Sequence, residues 1–556
     1  MKPSPPNTDH MDRKEHPLRV QRLFLLFTII GLVIYFQSLG FPFVWDEYRL
    51  ILNNAQEDYY SLKNLPQFFL HTYFYTPNDT APAPEQFPYY RPVMITIHAL
   101  CYNLFHLFYP AYHLLSLYLH ICNALMIFLL FRQLLAYYLG FPVAEKISFM
   151  GSLIFLVHPR NVETVCIIAN QTGLLSTFFT LISFLAWLKV LRKERPGIYF
   201  PLSLITLMLS MLTKESAYIV FVFHLTTGWL LYKERWRQWI TYSAGYPAVL
   251  VAVLLMRHAL ISSPSIQSTL TRQLSRYTSF GDYVASILGL FFHQIANILL
   301  PLDTYSFQYP FSFTGRAEIT LLLGTVFLLF CIWLWIRYPA LRHAFLWVLL
   351  FYVPYSNITS IGEIAGGNLK TGSHHVYPAH AGIDITIAWA CFSLSRSTVK
   401  SVKVLLFLLL SLWIGFLGVQ SFAFASYFKS ESAFYGNVLR KNKDYSGALI
   451  NYAWHKTFVT PNYEEAERIL QEGLDDYDRS GNWIMYKLRM MHNLISLQIR
   501  WGRFDEAYCY LDKMKQDFLE HAYGVILYCN LIDMLTDSIK RAQEKSAQAG
   551  PQEEMP

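Results

Sequence analysis

The stretch RLFLLFTIIGLVIYFQSLG, residues 22–40, carries a single charged side chain, Arg22, at its first position. A helix rises about 1.5 Å per residue, so a run of this length crosses the ~30 Å hydrocarbon core of a bilayer. Only a helix or a closed barrel satisfies its backbone there. A second run, VLLFLLLSLWIGFLGVQSF at 404–422, repeats the pattern far along the chain. Composition agrees: of 556 residues, 54% are hydrophobic and only 15% charged, too apolar a balance for an ordinary globular protein. The sequence predicts an all-α polytopic membrane protein.

Lys and Arg give a net charge of +7, but they fall mainly in short clusters between apolar runs, namely KVLRKER (189–195), YKERWR (232–237), IRYPALRH (336–343) and RSTVKSVK (396–403). That placement marks topology through the positive-inside rule, with these loops and residues 1–19 in the cytoplasm. No basic binding module is present, which excludes nucleic acid as a partner. The first run follows the basic MDRKEHPLRVQR, yet it exceeds a signal-peptide core and lacks a small-residue cleavage site, so it reads as a retained signal anchor. Spans are expected near 20–39, 112–136, 147–158, 172–190, 199–213, 216–232, 239–256, 318–336, 344–358, 383–395 and 403–425, within a membrane domain covering 20–426. That makes about eleven. The stretch 91–109 is expected to lie on the outer interface, and 284–301 to be re-entrant or interfacial.

From residue 427 charges become frequent and helical amphipathic periodicity takes over, so 427–540 is read as a soluble helical domain on the outer face. Three pieces place an aromatic residue three before an alanine: Tyr445/Ala448, Tyr463/Ala466 and Phe504/Ala507. In a helical hairpin the alanine allows close approach while the aromatic fills the turn. The third piece resembles a tetratricopeptide repeat, although the spacing departs from the usual period of about 34. An unspecific helical bundle is the alternative, and 541–556 reads as a disordered tail. The seven cysteines form no C-x-x-C pair; only Cys509 and Cys529 could pair, in an oxidising compartment.

The unusual polar residues near span ends all fall on the outer side of this topology. Asp46 and Glu47 follow the first span in FPFVWDEYRLILNN (41–54), and YYRP (89–92) closes the same loop. HPRNVE (158–163), TKES (213–216) and GGNLKTGSHHVYPAH (366–380) follow in later loops. Ionisable groups in such places are costly unless they face one another or water, so a shared outward cavity is the economical reading. Each also has a plainer reading: Asp46 and Glu47 capping a helix, His158-Pro159 ending one, Lys214 and Glu215 forming a solvated ion pair. His374, His375 and His380 lack a carboxylate or cysteine at ligand spacing, so no metal is indicated.

In their order, FPFVWDEYRLILNN, YYRPVMITIHALCYNLF, LIFLVHPRNVETVCIIANQTGLLS and LSMLTKESAYIVF resemble the membrane-embedded GT-C glycosyltransferases, and among them the transmembrane and tetratricopeptide-repeat O-mannosyltransferase family and its bacterial relatives. The likeness runs over about residues 20 to 430. It implies a many-helix fold with an acidic pair in the first outer loop, a polyprenyl-phosphate-linked sugar donor and transfer to a hydroxyl on the outer face. By motif, the acidic pair maps to Asp46 and Glu47, the Y-R-P element to Tyr90, Arg91 and Pro92, the His-Pro-x-x-x-Glu element to His158, Pro159 and Glu163, and the Lys-Glu element to Lys214 and Glu215. Two departures stand out. NQTGLL (170–175) replaces an Arg and an acidic residue before a Leu pair, and SHHVY (373–377) replaces an ERYLY-like element.

A sugar phosphate already has a good leaving group, so one general base suffices and inversion is expected. Asp46 is assigned that role. Glu47 is expected to orient the loop or bind acceptor or donor hydroxyls, because adjacent side chains diverge by about 100° in a helix and 180° in a strand; the exchanged assignment, with Glu47 as the base, is the alternative. Arg91, Lys214, Lys370, His374, His375 and Tyr377 are candidates for the donor phosphate; Tyr90, His158, Glu163 and Glu215 for substrate binding or structure. If His374 stands in for an arginine, activity should titrate near neutrality. The expected partners are the lipid-linked sugar, membrane lipids and a protein acceptor held by the helical repeats. Rival readings are a membrane-anchored scaffold and a lipid-linked sugar flippase. A bacterial cytoplasmic membrane is favoured over the endoplasmic reticulum, where sequons at Asn78, Asn170 and Asn357 would matter.

Overall fold

A computed structural model describes residues 17–56, 58–77, 89–261, 280–301, 310–311, 317–355, 369–370, 373–396, 400–441, 446–480, 484–521 and 525–549. The chain divides into two compact units, Met1–Lys429 and Ser430–Pro556.

The first unit is helical. In chain order it contains α1 (Pro17–Tyr35), α2 (Pro92–Phe105), α3 (Tyr109–Leu139), α4 (Phe141–Val157), the short α5 (Val162–Cys166), α6 (Gln171–Leu191), α7 (Pro196–Met211), α8 (Phe221–Tyr232), α9 (Trp236–Ser243), α10 (Gly245–His258), α11 (Phe280–Leu299), α12 (Ala317–Arg337), α13 (Arg342–Tyr352), α14 (Tyr377–Leu394) and α15 (Lys400–Ala425). One two-residue antiparallel pairing, Pro310–Phe311 with Leu369–Lys370, joins two loops. The centre is α3, which packs on α1, α4 and α6 and fully buries Leu130 and Phe131. Against α4, Gly151 leaves room for Ile385 of α14, since a Cβ there would lie 2.6 Å from its side chain. Hydroxyls join α6 and α7: Ser176 and Thr180 reach Ser210 at 2.9 and 2.8 Å, and Ser183 reaches Ser203 at 3.1 Å. Small polar residues of this kind let membrane helices approach closely and bond across the seam. The outer surface is apolar, with Leu25, Ile29 and Val33 exposed on α1 and Leu322, Val326 and Trp333 on α12.

By length and composition five helices of the described residues can cross a membrane, or seven if each of two bent pairs is one span. The eleven spans read from sequence leave out 91–109 and 284–301 and include segments that do not pass this length test. Several of those segments fold into shorter helices, such as α7 with 16 residues and α13 with 11, or bend, as α4 does by 53° into the turn after it. The 284–301 segment lies in α11 as far as Leu299, a continuous helix of 20 residues without the break of a re-entrant loop, which leaves the interfacial alternative. The stretch 91–109 forms the 14-residue α2, too short to cross and buried at Met94 and Ala99.

The second unit stacks α16 (Glu431–Lys441), α17 (Ser446–Phe458), α18 (Tyr463–Ser480), α19 (Ile484–Trp501), α20 (Phe504–His521) and α21 (Val525–Ala549), each packed on the next. Ala448, Ala466 and Ala507 are fully buried, as their place in the aromatic-and-alanine pattern predicts. Gly502 takes φ +79° in the turn from α19 to α20, a conformation that costs a residue with a Cβ. The segment read as a disordered tail from residue 541 is instead helical through Ala549; without proline or glycine before residue 550, nothing in it stops α21. Cys509 is a free, exposed thiol, and the side chain of Cys529 lies outside the described residues.

Candidate functional site

After α1 the chain turns through Phe36–Gly40, runs extended, takes a positive φ of 54° at Trp45 and enters a helical turn, with Leu50 N donating to Asp46 O at 2.9 Å. Asp46 and Glu47 therefore diverge by about 100°, and their surroundings differ accordingly. Glu47 is fully buried. Its Oε2 accepts from its own loop, Val44 N at 2.8 Å, and its Oε1 from Ile168 N in the turn before α6. Burial pushes its carboxyl up to about 8, while the amides of Val44, Ile168 and Ala169 oppose the shift. The carboxyl group is a stitch between two loops, as expected of the orienting member of the pair.

Asp46 is half-buried. Its charge acts on Tyr73 and Tyr89, the two rings that flank the Arg91 guanidinium at 5.1 and 4.4 Å. Arg91 donates through Nε and Nη2 to both oxygens of Glu215, at 2.8 to 3.2 Å. Neither partner is a solvated surface ion, since 12% and 10% of their side chains are exposed. Tyr73, which sequence reasoning passed over, also reaches Ala169 O at 3.5 Å and feels Arg91, Asp46, Glu47 and Glu215 at once. The aromatic-rich HTYFYT was the available signal.

Beside Glu215, Lys214 is buried and its Nζ donates to His374 O at 3.4 Å. Burial first, then repulsion by Arg91, lowers it to about 7, with Glu215 and Glu163 opposing. Gly173, at the start of α6, faces this ammonium: a Cβ there would lie 3.4 Å from Nζ and 3.7 Å from His374 O. Glu163 of α5 clamps the same turn, accepting from Ser373 N at 2.9 Å and from His374 Nδ1 at 2.6 Å. Burial and the nearby Lys214 and Arg91 charges hold His374 well below the ordinary imidazole range. Burial thus opposes the expectation that His374 titrates near neutrality, and brings the Lys214 ammonium down toward it instead.

Most of the other nominated residues bond within the fold. His158 Nε2 donates to Ile298 O at 2.9 Å while its Nδ1 accepts from Arg160 N at 3.1 Å, so it ends α4 and anchors α11. Arg160, buried beside it, donates to Gln294 of the same helix. Tyr90 donates to Phe69 O at 3.1 Å. Tyr377 turns inward, its hydroxyl 2.9 Å from His120 Nδ1 and 3.2 Å from the Asn123 amide. Its register as the first residue of α14, facing α3, is the reason. His375 is half-buried with its ring 3.9 Å from that of His374. The Lys370 side chain, Asn78 and Asn357 lie outside the described residues. Asn170 is buried and donates to Glu163 O at 3.4 Å, so that sequon is closed to glycosylation. Among the described residues no three His, Cys, Asp or Glu side chains are grouped to hold a metal.

No family model matches the chain. Over 187 residues it is 28% identical to Protein O-mannosyl-transferase TMTC3 of Homo sapiens, a match that takes in 33% of this chain and 19% of that protein. The Mus musculus protein of the same name matches at 24% over 203 residues, 36% of this chain and 20% of that one. The chain thus spans about a fifth of the length of the curated relatives it matches. Two solved structures from Archaeoglobus fulgidus are also similar. The archaeal oligosaccharyltransferase AglB in complex with an inhibitory peptide and a dolichol-phosphate is 14% identical, with 80% of this chain and 59% of that one covered at a TM-score of 0.44. The apo oligosaccharyltransferase gives 12%, 81%, 59% and 0.41. By sequence, this helical membrane protein is a distant relative of the protein O-mannosyl-transferases over 33% of its length.

Proposed function

We propose that the chain is an integral-membrane glycosyltransferase of GT-C type that moves a sugar, mannose or a similar hexose, from a polyprenyl-phosphate donor to a hydroxyl of a protein acceptor. The observation that carries the reading is the gathering of Asp46, Arg91, Glu215, Lys214 and the Glu163–His374 clamp from four separate loops around the start of α6. Beyond the Arg91–Glu215 pair the network holds a half-buried acid, Asp46, and a lysine, Lys214, lowered to about 7, which a purely structural ion pair would not need.

Asp46 takes the proton of the acceptor hydroxyl as its oxygen attacks the anomeric carbon. The bond from that carbon to the phosphate oxygen breaks on the opposite face, so the configuration inverts and the electron pair leaves with the lipid phosphate. Lys214 stabilises the charge gained by the leaving phosphate, with Arg91 held in place by Glu215 as the second cation. Glu47 and Glu163 keep the loops in register. The helical second unit is assigned to acceptor binding on the outer or periplasmic side, since stacked hairpins offer an extended surface to a polypeptide.

The test is sugar transfer from a radiolabelled polyprenyl-phosphate hexose by membranes containing the protein, with Asp46→Asn as control. Transfer by the wild type and its loss in Asp46→Asn are expected. Undiminished turnover in Asp46→Asn would sink the assignment of the base, and no transfer from any such donor would sink the reaction.

A further inference from the structure

Helix α6 has 21 residues. At about 1.5 Å per residue it is ~30 Å long, the thickness of the hydrocarbon core. Its first turn backs onto Lys214 through Gly173. Its last residues, Val190 and Leu191, meet Tyr232, Arg235, Trp239 and Tyr242 around a small cavity on the opposite side. The two clusters that converge there, KVLRKER and YKERWR, hold seven basic residues against two acidic ones.

The short helix α9 seats the cavity wall. Trp239 packs on Gly228, where a Cβ would come within 2.9 Å of its ring, and its indole N–H donates to Tyr232 O at 3.1 Å. The other face of α9 carries Trp236 and Ile240, both exposed, beside exposed Trp229 of α8. The cations lie on this aromatic edge: Lys233 over Trp229 at 5.2 Å, Arg237 over Trp236 at 5.6 Å and Arg235 over Tyr232 at 6.0 Å. Next in the chain after Leu191, Arg192 has a buried Nε with no hydrogen-bond partner among the described residues, and it lies 3.8 Å from Glu194.

We propose that the basic, aromatic surface around this cavity, rather than the cavity itself, binds the head group of an anionic phospholipid, on the face of the membrane opposite the candidate site. The charge surplus calls for an anion, and arginine's planar fork suits a phosphodiester. The exposed tryptophans and Ile240 supply the apolar surface that acyl chains need, which a soluble phosphate would leave unused. The inference is independent of the proposed reaction, since none of these residues takes part in it.

Native mass spectrometry of the full-length protein released from nanodiscs containing equal phosphatidylglycerol and phosphatidylcholine tests it. The wild type should retain phosphatidylglycerol over phosphatidylcholine by about tenfold, and Arg192→Gln with Arg235→Gln should cut that preference by about tenfold. Lys400→Gln with Lys403→Gln, an equal charge change at another basic loop, should leave it within about twofold. Equal retention of both lipids by the wild type overturns the proposal, even if the double variant does not fold. So does equal loss in the two double variants, or displacement of the lipid by millimolar inorganic phosphate, which would mark a free-phosphate site.

Discussion

The two units bury opposite things. In the first, α15 leaves Phe407 and Leu412 about 70% exposed, while serines, histidines and asparagines such as Ser421, His120 and Asn123 are hidden. In the second, Ala466, Leu494 and Met491 are hidden and the Arg468–Glu472 pair stands exposed. Each unit turns outward what its solvent accepts, lipid in one case and water in the other. A buried polar residue in the first unit is therefore ordinary, and only the partners of its polar atoms say whether it is scaffold or chemistry.

The adjacent acids give the hardest test of that rule. Asp46→Asn should lower sugar transfer by about 10² to 10⁴-fold with an unchanged thermal midpoint. Glu47→Gln turns an amide donor toward one of two backbone N–H groups, and should instead destabilise the first unit by about 1–3 kcal/mol, read as a lower midpoint in detergent. If both variants lose activity at full stability, Glu47 is not a stitch. In the second unit, Ala466→Leu should cost about 1–3 kcal/mol by overpacking the contact between hairpins.

A pH profile probes the cation. Lys214 is lowered to about 7, so its charge is present below that pH and is lost as pH rises through it. The donor kcat/KM should fall by about tenfold between pH 6.5 and 8.5, since that parameter reports the free enzyme. A flat profile would remove Lys214 from the phosphate. The smallest effect is expected at Gly502→Ala, where the positive φ should cost about 1 kcal/mol in the second unit and leave transfer unaltered.

Much of this was legible beforehand. Twenty-residue apolar runs announced the membrane helices, the change of composition after residue 427 lies close to the observed division after Lys429, and topology put the WDE, YRP, HPRNVE, TKES and SHH elements on one side. Less legible were the roles within each element. His158 and Tyr377 looked like site residues because they are polar beside apolar spans, yet each is satisfied by a distant partner: Ile298 lies 140 positions from His158, and His120 lies 257 positions from Tyr377. His374 looked titratable until burial beside Lys214 and Arg91 was visible.

The sequence alone determined what each segment prefers to face, because hydrophobicity and charge are properties of residues and their order along one helix. Only the tertiary structure decided that Glu47 is held by backbone amides of two different loops. The Glu47–Ile168 bond closes 121 positions and the Glu163–Ser373 bond 210, and such pairings depend on how the intervening helices pack.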